Sequence, residues 1–188
     1  MNGDPRDVLD FWFSETARTR WFEKDPAFDA ECRRFAPLVA AAAENRLAAW
    51  ERTPEGCLAL AILLDQLPRN LHRGSPRAFA SDAKARAVAD RAIARGFDRR
   101  LPPDRRAFLY LPFEHSEDLA DQRRSVALFR QLAADMGGTA QAQEYLDYAI
   151  RHEQIIERFG RFPHRNAVLG RPSTPEEEEF LKQPGSSF

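Results

Sequence analysis

One predicted helical face carries a histidine among aromatic and aliphatic residues, and this histidine is the first candidate for chemistry. His152 follows Tyr145 and Tyr148 and precedes Ile155 and Phe159 at spacings of three and four residues. Such spacing places all five side chains on one face of a helix. A histidine in this position is either a core residue with a satisfied hydrogen bond or an acid–base group. We expect it to point inward.

Polar groups also interrupt or end two other apolar segments. Gln122 lies in the stripe formed by Leu119, Val126 and Phe129. The apolar run 57–64 passes directly into Asp65 and Gln66, and Arg69 follows Asp65 by four residues, so the two can pair if the helix persists. Burying such groups without partners costs roughly 1–3 kcal/mol each, so the sequence predicts that they find partners in one another or in nearby polar segments.

Two polar segments, 113–117 and 161–166, are the expected partners, and with the groups above they predict a semi-buried pocket. Guanidinium groups bind carboxylate or phosphate through paired hydrogen bonds, and a neighbouring histidine titrates near neutral pH. The predicted acid–base residues are His152, His115, His164 and Glu114, with Glu114 or Asp65 orienting a histidine. The predicted ligand-binding residues are Asp65, Gln66, Arg69, Asn70, Gln122, Arg161, Arg165 and Asn166.

Three functions agree with this set of residues. The first is a pocket that binds a small anion, carboxylate or phosphate, and can act on it by general acid–base chemistry. The second is a helical-repeat module that binds an acidic peptide or protein, and the third is a structural network of closed ion pairs. In that network Asp65 pairs with Arg69 and Glu114 pairs with Arg165. Whether the protein is an enzyme stays open, and the sequence does not indicate an oligomeric state.

Other motifs argue against several classes of site. His152 and Glu153 begin a zinc-protease pattern, but Ile156 occupies the position of its second histidine. Phosphate loops, nucleophile elbows and paired-cysteine motifs are absent from the sequence, so we expect neither a metal nor another cofactor. Ser116 is interpreted as the N-cap of the following helix rather than a nucleophile.

Composition limits the partners and the fold class. The 28 basic and 29 acidic residues give a net charge of −1, which argues against nucleic-acid binding by bulk charge. Apolar runs are shorter than the ~20 residues that cross a bilayer, and no signal peptide is recognised, so we expect a cytoplasmic protein without membrane contact. Val, Ile and Thr number five each among 188 residues, whereas Ala numbers 29. Such a chain is expected to be nearly all helix.

Helix boundaries are marked by capping residues. Asp4, Asp25, Thr53 and Thr174 each precede a proline, and glycines fall where helices should end. The predicted helices are 5–14, 26–46 (bent near Pro37), 54–67, 77–95, 103–110, 117–135, 139–159 and 175–182. We therefore predict an all-α protein with one domain over residues 1–188. Its expected form is a tetratricopeptide-like or solenoid-like bundle of antiparallel helix pairs, with about eight helices.

Three long motifs resemble a known family. They are Ile62–Asn70, Leu111–Glu117 and Phe159–Asn166, and the likeness extends to Trp12, Trp21-Phe22, Trp50, Leu169-Gly170-Arg171 and Ser173-Thr174. Together they resemble a family of bacterial and fungal proteins that is classified as a domain of unknown function. The resemblance implies an all-helical fold of the tetratricopeptide-like superfamily and no particular activity. Leu67 and Leu71-His72 depart from the family, which more often has Phe and an aliphatic–aromatic pair there.

Overall fold

The described part of the chain, residues 3–187 of a computed structural model, consists of helices and their connections and contains no strand. The α-helices, in chain order, are α1 (Pro5–Trp12), α2 (Glu15–Arg18), α3 (Pro26–Cys32), α4 (Ala36–Ala43), α5 (Pro54–Ala61), α6 (Leu67–Leu71), α7 (Asp82–Ala94), α8 (Pro103–Glu114), α9 (Leu119–Asp135), α10 (Ala140–Phe159), α11 (Asn166–Leu169) and α12 (Pro175–Leu181). The prediction of an all-α single domain is confirmed.

The capping residues act as predicted. The side chains of Asp4, Asp25, Thr53 and Thr174 each accept a backbone hydrogen bond from the first turn of the helix that follows. Gly96, Gly137 and Gly160 adopt positive φ angles just after α7, α9 and α10. These ends are determined locally, because a side-chain oxygen satisfies free N–H groups and glycine tolerates the left-handed conformation.

Two predicted long helices are interrupted at prolines. The segment 26–46 divides at a 3₁₀ turn, Arg33–Phe35, just before Pro37. The segment 54–67 ends as an α-helix at Ala61, passes through one π turn, Ile62–Gln66, and continues as α6 to Leu71. Within the π turn the Leu67 N–H donates to the Ile62 carbonyl, five residues earlier. The wider turn accommodates the ring of Pro68, which would crowd a carbonyl in a regular helix.

Three other boundaries differ from the predictions. Helix α8 continues through Pro112 to Glu114 instead of ending at 110, because burial of the whole segment 106–114 outweighs the cost of a proline inside a helix. The N-cap of α9 is Asp118, whose side chain accepts from the Ala120 and Asp121 amides. Ser116, the predicted cap, instead donates to the Asp121 carboxylate at 2.7 Å. A 3₁₀ turn, Pro76–Ala78, precedes the start of α7.

Helix α5 is the centre of the molecule, as its apolar residues on every side predict. Its residues 57–61 are all buried, and the helix packs against α1, α7 and α8. Helices α8, α9 and α10 pack consecutively against each other on one side of it. A small second cluster, Ile155, Ile156 and Phe162, anchors the C-terminal segment onto α10. In residues 3–187 no helix is both long enough and apolar enough to cross a membrane.

Candidate functional site

The π turn carries Asp65 into the interior, where its carboxylate meets two cationic side chains. The Asp65 side chain has 0% exposure, and its Oδ1 lies 3.2 Å from Nη1 of Arg69, one turn further along. Nδ1 of His115, at the end of α8, lies 2.8 Å and 3.0 Å from the two carboxylate oxygens. Gln66 also donates to Asp65. Burial alone would raise the pKa of Asp65, but the charge of Arg69 and the contact with His115 hold it well below its ordinary value.

The Asp65 contact determines how His115 is protonated. Burial lowers the pKa of His115 below its ordinary value and outweighs the opposing effect of Asp65, so the ring is neutral at pH 7. Because the Asp65 carboxylate is ionised and only accepts hydrogen bonds, Nδ1 of His115 carries the proton and Nε2 carries the lone pair. The His115 side chain is 15% exposed. This arrangement resembles the carboxylate–imidazole pair that orients a general base.

Asp82, the first residue of α7, joins two arginines that are far apart in sequence. Its carboxylate accepts two hydrogen bonds of 3.0 Å from Arg69. The same carboxylate lies 3.7 Å from Nη1 of Arg165, which is beyond hydrogen-bond length. Arg69 and Arg165 therefore approach one carboxylate, and the Asp65–Arg69 pair is present. The predicted alternative pair of Glu114 with Arg165 does not form, because Asp82 occupies that place.

Arg165 is a buried cation whose charge is only partly compensated. Its side chain is 8% exposed, and among residues 3–187 Asp82 is the one carboxylate within 4.0 Å. The Arg165 guanidinium makes no hydrogen bond to any group of residues 3–187, and its Nε is fully buried without a partner. The Cζ atom lies 4.7 Å from the ring centroid of Phe79 and 4.5 Å from that of Phe162. Burial, and then the charge of Arg69, lower the pKa of Arg165 to about 10, so the group stays charged at neutral pH.

Behind His115 lies a second acid–base pair, Glu114 and His152. Nδ1 of His152 donates to the Tyr148 carbonyl at 2.8 Å and lies 3.4 Å from Oε1 of Glu114. Burial, and then the charge of Asp65, raise the pKa of Glu114 to about 8, and burial holds the pKa of His152 well below its ordinary value. Both groups are therefore neutral at pH 7. The side chains of Glu114 and His152 are almost inaccessible to solvent, whereas that of His115 is 15% exposed.

Gln122 is fully buried, as its place in an apolar stripe predicts. Its Nε2 donates to the carbonyls of Glu114 and Ser116, each at 2.6 Å. These carbonyls belong to the end of α8 and the turn that follows, where helices leave acceptors unpaired. Gln122 therefore positions His115, which lies between them, and does not itself face a ligand site.

An open cleft of about 550 Å³ lies in front of His115 and Arg165. Its apolar lining residues are Pro76, Phe79, Ala80, Ala83 and Leu169. Besides His115 and Arg165, its charged or ionisable lining residues are Asp82, Arg86, Glu117 and Asp118. Of the twelve predicted site residues, His115 and Arg165 line this cleft.

Three predicted ligand-binding residues have partners elsewhere. Asn70 donates to Asp29 at 2.9 Å, on the side of α6 that faces α3. Arg161 forms a double hydrogen bond with Glu177 at 2.7 and 2.8 Å, and Asn166 donates to Ser173 and to the same glutamate. These contacts correct the prediction that Asn70, Arg161 and Asn166 face the pocket, since each is already used to join helices.

His164 also lies away from the cleft lining. Its ring centroid is 5.6 Å from that of Phe162, and the side chain is half-buried. Burial, and then the charge of Arg165, lower the pKa of His164 to about 4. It is therefore neutral at pH 7 and packs beside the Arg165 loop. Its predicted acid–base role is less well supported than that of His115.

Three residues outside the predicted set organise the site: Asp82, Glu117 and Arg171. Glu117 pairs with Arg171 at 2.6 and 2.9 Å and accepts the Phe162 amide at 2.8 Å, which fixes the loop that carries Arg165. Asp82 has the sequence position of an ordinary acidic residue at a helix start, and only its tertiary contacts distinguish it. Arg171 belongs to Leu169-Gly170-Arg171, one of the segments that resemble the family. That resemblance was the sequence signal that could have pointed to Arg171.

Metal chemistry has no candidate centre among the described residues, since no three His, Cys, Asp or Glu side chains converge there as ligands. Phosphate, carboxylate or a peptide terminus would instead meet a guanidinium and an imidazole. The arrangement can hold an anion and can transfer a proton at Nε2 of His115.

Comparison with known proteins gives a family for the chain. A protein of unknown function from Agrobacterium tumefaciens has a similar structure, with a TM-score of 0.85 and 45% sequence identity over 95% of this chain and 96% of that one. No curated protein matches the sequence significantly. The family model described as "Bacterial protein of unknown function (DUF924)" matches residues 8–185. The chain therefore belongs to the DUF924 family of bacterial proteins.

Proposed function

We propose that the protein binds a small anion, a carboxylate or a phosphate, in the cleft in front of Arg165 and His115. The observation that carries this proposal is the state of Arg165. Its side chain is more than nine-tenths buried, lines the cleft and makes no hydrogen bond within residues 3–187. A buried cation normally has a close carboxylate partner, because loss of hydration is costly. A bound anion would supply that partner.

In this proposal His115 is the acid–base group that faces the anion. Asp65 holds Nδ1–H, which leaves Nε2 able to accept a proton from a ligand and return it. His152 is less suitable, because it is almost fully buried behind His115, with ring centroids 6.3 Å apart. Glu114 and His152 support the position of His115 from the interior.

The openness of the cleft favours one second candidate, an acidic peptide or a protein C-terminus as the anion. A peptide carboxylate would use the same Arg165 contact, with the remaining residues lying along the cleft. Asn70 and Asn166, which would have bound peptide backbone, are occupied elsewhere. The small-anion function therefore has more support from the contacts.

The test is a thermal-shift series at constant ionic strength with phosphate, sulfate, acetate and a short acidic peptide. An anion that binds only the folded protein should raise its stability by about 2.7 kcal/mol at 100 times its Kd, and the melting temperature by several degrees. Arg165→Met should abolish the response. Arg158→Met is the matched control, since Arg158 is half-exposed on α10, lies outside the cleft and has Glu176 as its one carboxylate within 4.0 Å among residues 3–187.

Two outcomes would contradict the proposal. One is the absence of a shift with every anion in the series. The other is an equal shift in the wild-type protein, Arg165→Met and Arg158→Met, which would indicate a general salt effect. If the acidic peptide raises the melting temperature and the small anions do not, the second candidate replaces the first.

A further inference from the structure

Every other charge at the cleft already has a partner, so Arg165 sets the charge of the ligand. Asp82 accepts two hydrogen bonds from Arg69, and Glu117 accepts two from Arg171. Arg86 pairs with Asp121 at 3.1 Å, and Asp118 accepts the first amides of α9. Asp82 also lies 3.7 Å from Arg165, and Arg69 has a second partner in Asp65, so Arg165 can offer a ligand no more than part of one positive charge. A dianion would bring a second negative charge against Asp82, Glu117 and Asp118.

The shape of the Arg165 group selects a carboxylate among the singly charged anions. The guanidinium packs against the rings of Phe79 and Phe162, 4.7 and 4.5 Å from their centroids. Its Nη N–H groups lie in the plane of the guanidinium and, unlike the buried Nε, stay available for hydrogen bonds. Carboxylates and guanidinium groups match through two parallel hydrogen bonds.

Part of the cleft lining beside Arg165 is apolar and accessible. Phe79 and Leu169 are half-buried, and Pro76, Ala80 and Ala83 are exposed. These residues offer no hydrogen-bond partner from their side chains, so a polar ligand body would lose hydration there without compensation. A hydrocarbon group would instead gain from covering them.

We infer that the ligand is a monocarboxylate that carries a hydrocarbon group, with the carboxylate on Arg165 and the hydrocarbon along Phe79 and Leu169. This inference rests on the proposed function and narrows its ligand class from anions in general. Phosphate monoesters, which carry about −1.5 to −2 charges at neutral pH, should bind less tightly, because their second charge would be repelled by Asp82, Glu117 and Asp118.

The test is isothermal titration at pH 7.5 and constant ionic strength with acetate, butyrate, hexanoate, hexyl phosphate and inorganic phosphate. Affinity should rise along the carboxylate series, by up to about fourfold for each buried methylene. Hexanoate should bind more tightly than hexyl phosphate. Leu169→Ala should reduce the gain in affinity with each added methylene. Val168→Ala is the control, because Val168 is the half-buried neighbour on α11 that does not line the cleft.

The possible results separate this inference from the proposed function. Tighter binding of hexyl phosphate or inorganic phosphate than of hexanoate would overturn the monocarboxylate inference while anion binding at Arg165 stands. Equal affinity for acetate, butyrate and hexanoate would overturn the hydrocarbon part. Failure of all five ligands to bind would overturn both. The wild-type series alone decides these cases, so the conclusion does not depend on the folding of Leu169→Ala.

Discussion

The buried pair of Glu114 and His152 links the stability of the fold to pH. Burial raises the pKa of Glu114 from 4.5 to about 8, so between these values the unfolded chain releases a proton that the folded chain keeps. Stability therefore falls as pH rises through this window. Burial holds the pKa of His152 below 6.5, so stability also falls as pH drops below 6.5. The two effects oppose each other and favour mildly acidic conditions.

Glu114→Gln should remove the loss of stability on the alkaline side. In the wild-type protein this loss is up to roughly 3 kcal/mol of unfolding free energy between pH 5 and pH 8. The glutamine side chain keeps the shape and has no proton to release. Urea denaturation of both proteins at the two pH values measures the difference, with the exposed Glu144→Gln on α10 as control. Identical pH dependence in wild type and Glu114→Gln would show that Glu114 is not buried as a neutral acid.

At the scale of elements, the corner between α8 and α9 positions the candidate base. Helix α8 ends at Glu114, and its free carbonyls face the interior instead of water. Gln122 projects back from the first turns of α9 and binds the carbonyls of Glu114 and Ser116, on either side of His115. One side chain therefore satisfies the end of one helix and fixes the angle at which the next begins.

Gln122→Leu should destabilise the protein by roughly 2–4 kcal/mol, because two buried carbonyls lose their hydrogen bonds. Gln131→Leu, on the exposed side of the same helix, should change stability by less than about 0.5 kcal/mol. Urea denaturation at pH 7 provides both values. A Gln122→Leu variant as stable as Gln131→Leu would mean that the corner does not depend on these bonds.

At the scale of the whole molecule, the C-terminal segment is fastened across α9 and α10 and carries Arg165 with it. Glu177 of α12 is buried, accepts two hydrogen bonds from Arg161 and one from Asn166, and completes a capping box with Thr174. The hydrogen bond from Arg161 lowers the pKa of Glu177 to about 2. The sequence presents four adjacent glutamates as equivalent charges at the start of a helix. Of these four, Glu177 connects α12 to the loop that follows α10 and so holds the segment 160–181 in one arrangement.

Glu177→Ala should loosen the segment 160–181 while the main core stays intact. Amide hydrogen exchange in this segment should become at least tenfold faster, and anion-induced thermal shifts should weaken because Arg165 lies within it. Glu178→Ala, its exposed neighbour, should leave both unchanged. Unchanged exchange in Glu177→Ala would show that the apolar contacts of Phe162 and Phe180 hold the segment without the glutamate.

Part of the candidate site could be predicted from the sequence and part could not, depending on whether the interacting groups lie close together along the chain. The Asp65–Arg69 pair and the inward position of Gln122 were predictable, because both follow from spacing along one helix. The approach of Asp82 to Arg165 was not, since these residues are brought together by how α7 and the C-terminal segment pack. For the same reason the Glu114–Arg165 pair of the structural-network alternative does not form, and Asn70, Arg161 and Asn166 have their partners outside the cleft lining.

The sequence by itself determined the helical class and most helix ends, because propensity, caps and prolines act within a few residues of one another. Tertiary packing decided that α8 continues through Pro112 and that α5 leads through a π turn into α6, since burial there outweighs local preference. It also decided which acid meets which base. Ion pairs and hydrogen bonds act over a few ångströms, so their partners are fixed only when the helices are in place.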